Sequence, residues 1–430
     1  MHLRRQSLFL AAIAISACAD GSTAPIDTRL SPGDTPELIS EGRGAFQRYV
    51  ALGTSISMGV SSDGVYAASQ QMSFPAQLAR LAHRELSLPL IAAPGCAAPV
   101  VAPLAAGVRL SGEPIGLPFL SRACAPNEDG VTLPTGNVAI DGARTDQALN
   151  ATPENPDPGH ATQYPRVLAP GQTQVTAMEA QEPKIVSVEL GGNDILGAYH
   201  GFYLPGVNVV PVAFWAPQYR AVAARVAAVA KHAVLVGLLD DLRSFPSFRT
   251  GAEIWGARAS FAPLNVVVSD NCSTSPSSQN VIFVATRIPA AAANGRAMAL
   301  SGMGPYTFSC ANAPSSTGIE DYVLDPTDVV AVNAHLAAMN AVIRNEAETR
   351  GFAYFPLGAL YERVVTKPPL NAVAVMTTAQ PYGPYISLDG LHPTAEGSRI
   401  LADAAAVALN RTYRLGIPTS TGPLAYLANR

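Results

Sequence analysis

Three short stretches of this sequence carry residue types suited to nucleophilic acyl transfer. Ser55 stands in Leu52-Gly53-Thr54-Ser55-Ile56, directly after the apolar run 49–52. Asn193 stands in Gly191-Gly192-Asn193-Asp194, at the end of the apolar run 185–190. Asp389-Gly390-Leu391-His392-Pro393 opens what reads as the last long helix. Cleaving an ester needs an oxygen nucleophile, a base to take its proton, and donors aimed at the oxyanion. A serine hydroxyl is a poor nucleophile at neutral pH until an imidazole accepts its proton. A carboxylate on the other ring nitrogen then holds the tautomer. Ser55, His392 and Asp389 supply those three types, and Asn193 supplies a neutral amide donor.

Each piece has a bland reading beside the chemical one. Gly-x-Ser alone is a weak signal, and a serine after a strand is often only a helix cap or turn residue. Asp389 and His392 are three apart, so a turn would face both side chains one way. Pro393 pushes His392 out of helical geometry and presets the following turn as helix. Otherwise they are a surface histidine and a turn aspartate. The same spacing recurs at Asp157-Pro158-Gly159-His160, in a Pro/Gly-rich stretch with no helix behind it, and is read as a surface loop. Losing an amide donor such as Asn193 from an oxyanion hole costs about 3–4 kcal/mol of barrier, whereas an Asn-Asp turn costs nothing. Gly142, after the short run 137–140, could bring its backbone N–H to the same point because glycine allows close approach.

The elements that must position these residues alternate. Strands are expected at 49–52, 185–190, 233–239 and 352–355, with 88–93 a possible second strand; 137–140 is a short apolar run before Asp141-Gly142. Helices are expected at 74–86, 173–180, 218–232, 328–350 (with Asp328 as cap) and 395–409. Most strands are apolar on both faces, which predicts a parallel sheet covered on both sides, an α/β three-layer sandwich. Residues 241–325, rich in Ser, Pro, Asn and Gly, break the alternation. They are expected as a large loop insertion over the C-terminal edge of the sheet, where ligands usually bind.

The order Gly-x-Ser, isolated Gly, Gly-x-Asn-Asp, then Asp-x-x-His-Pro resembles the SGNH (GDSL-type) hydrolase family over residues 49–409. Its most specific block is Ser387-Leu388-Asp389-Gly390-Leu391-His392-Pro393-Thr394 with Gly397. The resemblance implies a flavodoxin-like sandwich around a five-stranded parallel sheet, with no cofactor. It implies Ser55 as nucleophile and first oxyanion donor, Gly142 and Asn193 as the other donors, His392 as base and acid, and Asp389 as its orienting partner. Thr54 departs from the family, which usually has Asp there. The α/β-hydrolase pattern Gly-x-Ser-x-Gly is not met, since residue 57 is Ser. The function expected is serine-dependent hydrolysis of carboxylic esters, of esterase or lipase type. The alternatives are a polysaccharide O-acetyl esterase and, in another class, a non-catalytic surface binding protein on a hydrolase scaffold. Blander roles are expected for Glu189 (a partly buried, satisfied polar group), Trp215 and Trp255 (core packing), and His200 (a surface histidine).

With 48% apolar and 14% charged residues, the 430-residue chain can bury a large core. A net charge of −4 offers no basic patch for nucleic acid. Residues 1–18 read as a signal peptide: Arg4 and Arg5 precede a short apolar stretch ending in Ile15-Ser16-Ala17-Cys18, which resembles the bacterial lipobox. Lipidation of Cys18 would anchor the chain to a membrane, and Ala19 favours the outer membrane or cell surface. Residues 19–45 read as a flexible tether, 46–410 as the hydrolase domain and 411–430 as a tail. The remaining Cys96, Cys124, Cys272 and Cys310 suggest two disulfides outside the cytosol. Of three pairings, 96–124 with 272–310 closes the shortest loops and is preferred. No metal-ligand spacing is found.

Overall fold

The computed structural model describes residues 36–116 and 122–420, with side chains from residue 41 onward. The expected signal peptide, Cys18, the first part of the tether and the last ten residues of the tail lie outside it. Along the chain the strands are β1 (Tyr49–Gly53), β2 (Ile185–Glu189), β3 (His232–Gly237), β4 (Phe248–Thr250), β5 (Val266–Val268), β6 (Val281–Phe283), β7 (Tyr306–Phe308), β8 (Val323–Leu324) and β9 (Ala353–Pro356). The central sheet is four-stranded, parallel throughout, in the order β1-β2-β3-β9.

The fifth strand that the family resemblance implies is present only as a parallel segment, 136–140, along the free edge of β1. Ala51 N–H bonds Gly136 O at 2.8 Å, Val138 N–H bonds Ala51 O at 2.9 Å, and Ile140 N–H bonds Gly53 O at 3.2 Å. Only Ala51 and Asn137 form a ladder bridge. Asn137 turns its own Oδ1 onto the Ala139 N–H, which breaks the extended run. Counting this segment by its place in the chain, the spatial order is 2-1-3-4-5, the flavodoxin-like order. Its switch point lies between β1 and β2.

Strand periodicity sorts the core. Tyr49, Ala51, Ile185, Val234 and Val236 pack on one side with helices Phe74–Leu81 and Ala395–Tyr413. Val50, Leu52, Val186, Val188, Ala233 and Leu235 pack on the other with helices Gln174–Glu179, Val212–Val229 and Pro326–Arg350. Both faces are buried, as all-parallel sheets require.

Several elements depart from the sequence reading for identifiable reasons. Residues 88–93 make no strand. The Ile91 N–H is taken by the Gln70 side chain at 2.8 Å and Pro89 O by the same amide at 3.1 Å, while Ala92 N–H bonds Pro126 O at 2.8 Å and Glu128 N–H bonds Leu90 O at 2.7 Å, so this backbone is satisfied away from the central sheet. The helix expected from 218 starts at Val212 and runs through Pro217. One missing N–H is outweighed by the burial of Trp215, Tyr219, Val222 and Val226. The cap of the long helix is Asp325, not Asp328: its Oδ1 accepts from Thr327 N at 2.7 Å and Asp328 N at 2.9 Å, with Pro326 in the first turn. Pro36–Ala45, inside the stretch expected as a tether, is helical. Residues 241–325 hold much regular structure: antiparallel β4-β6-β8, the parallel pair β5-β7 and helix Val284–Leu300. The two disulfides are Cys96–Cys124 and Cys272–Cys310.

Candidate active site

Ser55 is the first residue of the one-turn helix Ser55–Met58, immediately beyond the C-terminal end of β1. Its loop is pinned from below by Glu189, the last residue of β2, which lies in register with Gly53. The Glu189 carboxylate accepts from Thr54 N at 3.0 Å, Thr54 Oγ1 at 2.9 Å, Ser57 Oγ at 3.1 Å and Ser57 N at 3.3 Å. Glu189 is fully buried rather than partly so. Burial pushes its carboxyl up, against the pull of these donors. This arrangement accounts for Thr54. A hydroxyl at 54 donates to Glu189, whereas an ionised aspartate there would set two carboxylates against each other in a buried site. Gly53 is required by packing, since a Cβ there would lie 2.4 Å from Ser57 Oγ.

Gly142 follows the segment that flanks β1, in a turn with φ +72°. Asn193 lies in the short helix Gly192–Leu196 at the end of β2, where Gly191 takes φ 110°. Asn193 Nδ2 donates to Ala143 O at 3.1 Å, tying the two loops together and leaving its second amide hydrogen for another acceptor. Among the described residues, the backbone N–H groups of Ser55 and Gly142 have no acceptor. Beneath them Asp194, buried, accepts from Thr145 N at 3.0 Å and Thr145 Oγ1 at 2.9 Å. Desolvation pushes Asp194 up to about 7.

Asp389 and His392 come from the loop ahead of helix Ala395–Tyr413, whose cap Thr394 accepts from Gly397 N. His392 Nδ1 lies 2.9 Å from Asp389 Oδ2. Asp389 also accepts backbone N–H groups from Leu391 at 2.9 Å, His392 at 2.8 Å and Asp63 at 2.7 Å. Burial by itself would raise the Asp389 carboxyl, but the imidazole and these donors bring it down to about 2. Burial would lower His392, but Asp389, with more distant Asp141 and Asp63, raises it to about 9. The loop is held from the insertion by Ser247 Oγ, which donates to Gly390 O at 2.7 Å, and by Tyr361 Oη, which donates to Leu391 O at 2.7 Å.

Thr54, Ser55, Asn193 and His392 line one narrow cavity of about 90 Å³. With Nδ1 taken by Asp389, Nε2 is the nitrogen left to meet the Ser55 hydroxyl. The two side chains face this space without a direct hydrogen bond, a common condition before substrate tightens such a site. The other walls are almost wholly apolar, among them Ile56, Leu196, Leu239, Phe245, Leu336 and Leu391. The arrangement can present a hydroxyl, a carboxylate-backed imidazole and amide donors to one substrate carbonyl.

Other residues fall elsewhere. Trp215 is buried in the core, its Nε1 donating to Thr145 Oγ1 at 2.9 Å, and Trp255 stacks under Arg258. His200 pairs with Glu320 at 3.3 Å. His160 is not on a detached surface loop: a Cβ built on Gly142 would fall 1.9 Å from its ring. Sequence reasoning missed this contact, the Glu189 clamp, and Asp63, whose backbone supports Asp389 while its carboxylate pairs with buried Arg109 and with Arg122. The duplicated Asp-x-x-His spacing was the available signal for His160. A lone acid ending an apolar strand was the signal for Glu189. Among the described residues, no group of three or more His, Cys, Asp or Glu could hold a metal ion.

No family model matches the chain, and no curated protein matches it. Solved structures similar to it include an extracellular lipase from Streptomyces rimosus, at 14% identity and TM-score 0.35 over 85% of this chain and 98% of that one. An acetyl-xylooligosaccharide esterase from Geobacillus Stearmophilus, in mutant form, gives 12% and 0.34 over 87% and 98%. A putative GDSL-like lipase from Parabacteroides merdae gives 10% and 0.31 over 85% and 94%. At this distance the functional reading stands on the site itself.

Proposed function

We propose that this chain is an SGNH-type serine hydrolase of carboxylic esters, with Ser55 as nucleophile, His392 as base and acid, and Asp389 orienting the ring. Ser55 Oγ attacks the ester carbonyl carbon while Nε2 of His392 takes its proton. The oxyanion is met by the N–H groups of Ser55 and Gly142 and by the Asn193 amide. The imidazolium returns the proton to the departing alcohol, and water then releases the acyl group by the same route. The observation that carries this reading is the single cavity shared by Ser55, Asn193 and a His392 already paired with Asp389.

The apolar walls favour an ester with a hydrocarbon branch over an acetylated sugar. Each methylene buried there is worth about 0.8 kcal/mol, or roughly fourfold in kcat/KM. The test is a p-nitrophenyl ester series from acetate to octanoate, run beside alkyl acetates and acetylated xylan. From acetate to butyrate the expected gain is roughly 15-fold on whichever side of the ester occupies the cavity. Activity confined to acetylated glycan would replace this reading with the O-acetyl esterase alternative.

Export as a lipoprotein anchored at Cys18 belongs to the same proposal. It is supported by the lipobox-like sequence and by the two disulfides. No helix among the described residues is long and apolar enough to cross a membrane.

A further inference from the structure

The second Asp-x-x-His unit is built against the turn that carries Gly142. His160 Nδ1 lies 3.1 Å from Asp157 Oδ2, and its Nε2 lies 4.0 Å from Asp141 Oδ2. Asp157 is held in turn by Gln147 Nε2 at 2.8 Å. Asp141 is held by Gln163 Nε2 at 3.3 Å, and its N–H points to Met58 Sδ at 3.3 Å. The ring therefore spans two anchored carboxylates and covers the Cα of Gly142, so closely that any Cβ would strike it. Burial works against a charge on His160, but Asp157, Asp141 and Asp63 outweigh it and raise its pKa.

At φ +72° Gly142 occupies a region that glycine enters and leaves freely, so its own conformational preference does not fix the Asp141–Gly142 peptide. Glycine is obligatory here because of both its dihedral and the ring above it.

We propose that His160 is a positioning residue for the oxyanion hole: clasped by Asp157 and Asp141 over Gly142, its ring fixes the Asp141–Gly142 peptide so that the N–H stays aimed at the substrate oxygen. This rests on the reading of Ser55 as nucleophile and Gly142 as donor. His160 touches no reacting atom and acts only through that peptide.

The test compares wild type with His160→Ala and Asp157→Asn in kcat, KM, affinity for a boronic acid transition-state analogue, and fluorophosphonate labelling of Ser55. Losing a whole oxyanion donor costs about 10²–10³ in kcat, which bounds the effect. His160→Ala is expected to lose roughly 10- to 100-fold in kcat and in analogue affinity together, with KM within about twofold and labelling still complete. Asp157→Asn, which keeps the ring but loosens it, should lose about 3- to 10-fold in the same pattern, and decides the matter if His160→Ala does not fold. The inference is overturned if kcat stays within twofold of wild type, or if kcat falls while analogue affinity does not. Failure of the wild-type protein to label would instead strike the hydrolase reading itself.

Discussion

Asp389–His392 and Asp157–His160 share a spacing and nearly the same carboxylate–imidazole distance, 2.9 and 3.1 Å. They differ in what surrounds the carboxylate. Asp389 receives three backbone N–H groups, one from Asp63 more than 300 residues away in sequence. Asp157 receives only the Gln147 side chain besides its histidine among the contacts above. The first pair opens onto the cavity with Ser55; the second closes over a glycine beside it. The spacing produces the pair, while backbone support and position at the sheet edge decide what the pair can do.

That contrast breaks first under mutation of the acids. Asp389→Asn removes the acceptor that fixes the His392 tautomer and is expected to lower kcat by about 10⁴, against the few-fold loss expected for Asp157→Asn. Equal losses, measured on one ester, would erase the distinction between the pairs.

A smaller effect sharpens it. Because His392 is raised to about 9 and must be neutral to act as base, kcat/KM should climb about tenfold per pH unit through neutrality and level off near pH 9. In Asp389→Asn the limb should move toward the ordinary histidine range, near 6.5. The sign for stability is opposite. The Asp389 contact stabilises the protonated ring, fully so below about pH 6.5, and that contribution is lost as pH rises through about 9. A wild-type limb near pH 6.5 would mean the pair is not coupled as described.

Much of this site was legible in the sequence because its residues cap strands. Apolar runs ending at Gly53 and Leu190 place Ser55 and Asn193 at the sheet edge, and Pro393 marks the loop before the last helix. Loop lengths were enough for the cysteine pairing. What was hidden depends on neighbours in space. Gln70 and the backbone of 126–128 satisfy the stretch 88–93, so an apolar run with the right composition never joins the central sheet. Glu189 becomes the clamp on Thr54 only through the β1–β2 register. The Asn137 side chain, which interrupts the fifth strand, cannot be distinguished in sequence from an ordinary polar residue at a strand start. His160 lies beside Gly142 because of how 143–164 folds back, which no local pattern reports.

The central claim is that Ser55 is activated by His392 within one cavity, and it is tested most directly by following covalent capture of a fluorophosphonate probe by mass spectrometry. The wild-type protein should gain one adduct, mapped to Ser55. Ser55→Ala should gain none, and His392→Ala should label slower by several orders of magnitude. A wild-type protein that stays unlabelled, or one whose labelling is indifferent to loss of His392, would contradict the account.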